Sequence, residues 1–120
     1  MPFIITKTNT RITTEQENNL KQGLGKAIEY VPGKSEQALM LDFEERSHLY
    51  IRGDNSIPMA YIDVSIFGNP NHDGYAELSQ AITILFNKVL KIEPENIFID
   101  YKDIPIWGVN GWAFEQPKEE

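Results

Sequence analysis

The chain has 120 residues, 41% hydrophobic and 24% charged, which suits one globular domain with its own core and is too apolar for disorder. The formal net charge of −7 at pH 7 sets its surface against phosphate backbones, so nucleic-acid binding is not expected. There is no cysteine, and His48 and His72 lie far apart, which removes disulfides and thiolate nucleophiles and leaves no spacing for a structural metal site.

No apolar run is long enough to span a bilayer, and the first residues lack a basic segment followed by a cleavage site. The expectation is a soluble, cytoplasmic protein without membrane attachment, with secretion open only by a non-classical route. The catalytic vocabulary left is carboxylates, lysines, hydroxyls and the amino terminus itself.

"PFIITKTN" (residues 2–9) reads as a strand introduced by proline. In "ITTEQENNLKQGLGKAIEYVPG", Thr14 and Glu17 predict a capping box, and Leu20, Leu24, Ala27, Ile28 and Val31 fall at helical spacing before Pro32-Gly33 stops the helix. "EQALMLDF" (36–43) is the next strand. The polar link "EERSHLYIRGDNS" has a short strand-like piece at His48–Ile51, and Arg46 and Arg52 read as solvated loop residues.

The order then repeats. "PMAYIDVS" (58–65) is a strand, and His72 and Asp73 suit the start of a helix. Tyr75, Leu78, Ile82, Leu85, Phe86 and Val89 make its apolar stripe. "ENIFIDY" (95–101) follows as a strand, then the aromatic, turn-rich "IPIWGVNGW" and a frayed "QPKEE". Two β-α-β units, about 2–45 and 58–103, predict a single α/β domain over 1–116 with a four-stranded mixed sheet and both helices on one face. Residues 104–116 are left as an interface segment and 117–120 as a disordered tail. Because "FII", "LML" and "IFI" are apolar on both faces, the second face of the sheet is expected to be covered by other copies of the chain.

Five stretches in register carry a resemblance: "MPFI", Lys34 in "PGKSEQALM", "VSIFG" at 64–68, "NIFIDYKD" at 96–103 and "WGVNGWAF" at 107–114. Together they resemble the tautomerase superfamily, in the branch of macrophage migration inhibitory factor and D-dopachrome tautomerase. The resemblance implies a homotrimer whose sheets form a central barrel, with active sites between subunits. It also implies keto–enol tautomerisation of a small α-keto acid such as phenylpyruvate, without cofactor or metal. Some members of the family are extracellular signalling proteins, so a protein receptor is a further implied partner, of unknown identity.

By the same resemblance Pro2 is the general base once Met1 is removed. Burial and a nearby Lys34 would lower the basicity of its nitrogen toward neutral pH. Lys34 and the backbone N–H of Ile66, with Ser65 alongside, would hold the substrate carboxylate. Phe98, Trp107 and Phe114 would enclose its side chain.

Two positions depart from the family, whose closest members carry tyrosine at 98 and asparagine at 100 where this chain has Phe98 and Asp100. An ionised Asp100 would repel a keto acid, whereas a protonated one could donate to it. Two alternatives therefore stand beside the tautomerase reading. One is a related tautomerase or decarboxylase of unsaturated diacids. The other is a cytokine-like binding protein with a vestigial site.

Overall fold

The computed structural model describes residues 1–116, so the frayed tail expected at 117–120 lies outside the described residues. Its main sheet contains β1 (Pro2–Thr8), β2 (Met40–Glu44), β3 (Ala60–Phe67) and β4 (Ile97–Ile104), in the order β2-β1-β3-β4. Helix α1 (Thr14–Ala27) connects β1 to β2, and α2 (Tyr75–Leu90) connects β3 to β4. Each connection joins parallel strands, while β1 and β3 meet antiparallel at the centre. This is the mixed sheet that two strand–helix–strand units require.

Alternation along the strands sorts the sheet into two faces. Ile4 and Thr6 of β1, with Ala60, Ile62, Val64 and Ile66 of β3, are buried toward the helices. There they meet Leu20 and Leu24 of α1 and Leu78, Ile82 and Phe86 of α2. Each Val, Leu, Ile or Phe side chain among them contributes about 1.5–3 kcal/mol when removed from water. The predicted helix stripes are therefore the core, although Leu85 and Val89 are only partly buried.

Several local expectations need correction. The capping box sits one residue earlier than predicted: Gln16 N–H donates to Thr13 Oγ1 at 3.2 Å, and Thr13 N–H donates to Gln16 Oε1 at 2.9 Å. Thr14 and Glu17 offer the same spacing, so the sequence pattern fits either register. The α-helix ends at Ala27 and tightens into a 3-10 turn over Ile28–Tyr30 before Pro32. A second 3-10 turn occupies Glu36–Ala38, which the strand reading had included. His48–Ile51 is no strand; only an isolated Ile51–Asp54 bridge forms there. His72 and Asp73 precede α2, whose cap is Gly74 at φ 83°.

The second face of the sheet is also not the apolar surface that was expected. Its middle register row is Asp42, Ile5, Asp63 and Asp100, and the adjoining rows add Lys7, Glu44, Tyr61 and Lys102. Apolar groups remain toward the ends and edges, including Phe3, Met40 and Phe98. The strings "FII", "LML" and "IFI" mislead because the residues between and beside them, such as Asp63 and Lys102, share the face. Among the described residues, no second layer covers this side.

After β4, the chain forms a hairpin of β5 (Ile106–Val109) and β6 (Trp112–Glu115). Asn110 and Gly111 turn it at φ 54° and 79°, the left-handed pair that a tight two-residue hairpin needs. It belongs to a separate two-stranded sheet and displays Ile106, Trp112 and Phe114 at 55%, 68% and 43% exposure. No helix among the described residues is long and apolar enough to cross a membrane.

Candidate active site

The amino terminus lies at the end of β1. Pro2 is buried and stands opposite Ile66 on β3, and Phe67 N–H donates to the Met1 carbonyl at 3.3 Å. Lys34 follows the turn at Gly33 (φ 74°), and its own N–H is held by the Val31 carbonyl at 3.1 Å. Its side chain lies near the Met1 amine. Burial first, and then the Lys34 charge and hydrogen bond, lower that amine from 8.0 to about 6. Gly68, at φ 88°, completes this corner: a Cβ there would lie 3.4 Å from Lys34 Nζ.

Ile66 thus shares the corner with Pro2 and Lys34. Ser65 does not, because alternation turns its side chain to the opposite face, between Phe3 and Lys102.

A polar cluster missed from the sequence adjoins the same end of the sheet. Asp103 on β4 pairs with Ile66, takes a contact from His72 Nε2, and accepts from Tyr75 OH at 3.3 Å. The rings of His72, Tyr75 and Tyr101 stack in succession, with centroids 5.2 and 4.4 Å apart. Burial, helped by the Asp103 charge, pushes the Tyr75 phenol up to about 12. Tyr75 therefore acts as a donor that anchors the start of α2 to β4.

The remaining candidates lie elsewhere. Phe98 pairs with Tyr61, which pairs with Lys7; the five residue steps from Pro2 to Lys7 place it about 16 Å away along the strands. Around it are Tyr50, Tyr61 and Leu49, which line a small cavity with it. Asp100 stands beside Asp63 on the second face and accepts a hydrogen bond from Tyr61 OH. Trp107 and Phe114 face each other across the hairpin.

One chain therefore brings together Pro2, Lys34 and Ile66, holds Phe98 and Asp100 away from them along the strands, and carries Trp107 and Phe114 on a separate sheet. Arg52, expected to be free, bonds Asn96 Oδ1 at 3.2 Å. Among the described residues, no cluster of three or more His, Asp or Glu side chains could hold a metal ion.

No family profile and no curated protein matches the sequence. Solved structures do match its shape over nearly the whole chain. Leishmania major MIF2 is 24% identical with a TM-score of 0.85, over 95% of this chain and 97% of that one. The macrophage migration inhibitory factor homologue from Prochlorococcus marinus is 23% identical with a TM-score of 0.81, over 93% and 98%. Pt0534, solved after inactivation by 2-oxo-3-pentynoate, is 13% identical with a TM-score of 0.80, over 91% and 92%. The chain has the macrophage migration inhibitory factor fold, as its motifs implied.

Proposed function

We propose that the chain is a cofactor-independent tautomerase of an enolisable α-keto acid, with Pro2 as general base after removal of Met1. The observation that carries this reading is the start of the chain beside Lys34: burial and the Lys34 charge bring the Met1 amine to about 6, and the same two causes would act on a Pro2 amine freed by Met1 removal. An amine of that basicity is largely neutral at pH 7 and able to accept a proton. Retained Met1 would make the Pro2 nitrogen an amide, with its lone pair delocalised into the carbonyl. In the keto-to-enol direction, the Pro2 nitrogen takes a proton from C3, the electron pair moves to the carbonyl oxygen, and the proton is returned there. Lys34 and the Ile66 N–H hold the substrate carboxylate, with the Lys34 cation also stabilising the enolate as it forms.

The separation of Phe98 and Asp100 from Pro2 supports an active site completed by a neighbouring subunit, in a homotrimer. Half-buried Trp107 and exposed Phe114, paired on the separate hairpin, would wall the site in the same assembly. The inactivator of Pt0534 is itself an α-keto acid, which supports the substrate class. The test is ultraviolet detection of phenylpyruvate enol decay with intact mass measured on the same sample. Enol decay above the buffer rate by Met1-free protein is expected; none from fully processed trimer overturns the reading.

A second reading, a cytokine-like binding protein with a vestigial site, is favoured by one observation. Phe98 has no phenol to donate, and Asp100 is already engaged by Tyr61.

A further inference from the structure

Asp63 and Asp100 are register partners on β3 and β4, so their side chains stand side by side on one face of the sheet. Asp100 Oδ2 accepts from Tyr61 OH, and Asp63 Oδ2 accepts from Lys102 Nζ at 2.5 Å. The same ammonium is 4.0 Å from Asp100 Oδ2. Each carboxyl leaves its Oδ1 buried without a donor. Two buried acceptors without a donor are costly, whereas one proton between them makes an O–H donor and an acceptor.

We propose that Asp63 and Asp100 share a single proton, and that Asp63 is a positioning residue that sets the charge Asp100 presents on the sheet's second face. Tyr61 OH and Lys102 Nζ commit both Oδ2 atoms to accepting, so the shared proton lies between the two Oδ1 atoms. The directions of titration put it on the Asp63 side. Burial, then the bond to Asp100, raises Asp63 above the ordinary carboxylate range. Burial also works to raise Asp100, but the bonds to Asp63 and Tyr61 and the Lys102 charge outweigh it and hold Asp100 below that range.

The surrounding charges balance, with Lys102 and Lys7 set against Asp42 and Glu44. Lys7 of β1 stands in the next register row, while β2 contributes Asp42 beside Ile5 and Glu44 beside Lys7. Raising the pH through the Asp63 titration therefore adds a second negative charge to the pair that its balanced neighbours do not offset. Resting on the tautomerase reading, in which a neighbouring Asp100 faces the substrate, the pair becomes a pH-graded filter. It rejects keto acids that carry a second carboxylate, more strongly as Asp63 ionises, and leaves an uncharged phenyl substrate indifferent.

Carboxyl carbon NMR of protein labelled at aspartate tests the pair without any substrate. Asp100 should titrate below the ordinary carboxylate range and Asp63 above it. Asp63→Asn, whose amide can still donate, should keep Asp100 low, and Tyr61→Phe should raise it. Independent titration of both aspartates at ordinary values overturns the proposal. Exchange of C3 protons in D2O then tests the filter, with 2-oxoglutarate against phenylpyruvate. The KM ratio should rise about tenfold across the Asp63 titration in the parent and stay flat in Asp63→Asn. A flat ratio in the parent, with the paired titration intact, overturns the substrate filter alone. Loss of all phenylpyruvate exchange in processed protein would instead sink the tautomerase reading, with the NMR titration still deciding the pair.

Discussion

Lys34 and the Met1 amine lie together at the end of β1, where burial and then the Lys34 cation keep the amine from holding its proton. The first prediction follows from the sign of that coupling. A base depressed from 8.0 to about 6 binds fewer protons folded than unfolded between those values, so stability should rise with pH across that window. Lys34→Ala removes the charge and the hydrogen bond but not the burial, so the amine should move back only part of the way toward 8.0. NMR of the 13C-dimethylated amino terminus measures this directly; an unmoved titration would assign the whole shift to burial.

The hairpin leads to the second prediction. Trp112 is 68% exposed and shares a hairpin face with exposed Val109 and Phe114, an apolar surface that a lone chain leaves in water. Light scattering should give a trimer at micromolar concentration. Trp112→Glu should shift the mass toward monomer while circular dichroism stays unchanged. A monodisperse parent monomer would remove the intersubunit site altogether.

The third prediction concerns the loop pair behind Lys34. Gly74 caps α2 at φ 83°, and a Cβ there would fall on the Tyr30 carbonyl oxygen. Gly74→Ala should therefore cost about 2–4 kcal/mol in denaturant unfolding, combining left-handed strain with a backbone clash. Because the displaced backbone leads into Val31 and Lys34, the KM for a keto acid should rise even where the fold survives. A change below about 0.5 kcal/mol would show that the two loops move freely past each other.

How much could be read in advance depended on the range of the signal. Helix stripes such as Leu20–Leu24 and Leu78–Ile82–Phe86 repeat within a few residues, so their core role was plain. The hairpin carried a local signal too, Asn110-Gly111, but only four residues on each side separate it from a simple turn. Capping failed by one residue because neighbouring threonines and neighbouring Gln16 and Glu17 offer the same pattern. Pro2, Lys34 and Ile66 were placed together by motif, and the structure brings them to one corner. The Asp63–Asp100 pair was not legible, since it exists only once the β3–β4 register is known. Tyr61 and Asp63 lie in "AYIDV", where nothing local announces a partner on β4.

The last prediction concerns the initiator methionine. If the free Pro2 nitrogen is the base, proline at position 2 is insufficient and its amine must be uncapped. A form that retains Met1 keeps an amine beside Lys34, but that nitrogen belongs to Met1 and stands one residue away from the Pro2 position. Its fold should be unchanged, because Pro2 already opens β1 with Met1 in place. Its tautomerase rate should be about 10²–10⁴-fold below that of the processed protein, the usual contribution of a positioned general base. Pro2→Gly in processed protein should lose less, since a primary amine remains at the same backbone position without the ring that fixes its direction. The comparison needs intact mass and trimer content matched between the samples. Equal rates with and without Met1 would mean that Pro2 only begins a strand. The base would then have to be sought among the carboxylates, with Asp100, held ionised by Tyr61 and Asp63, the first to replace.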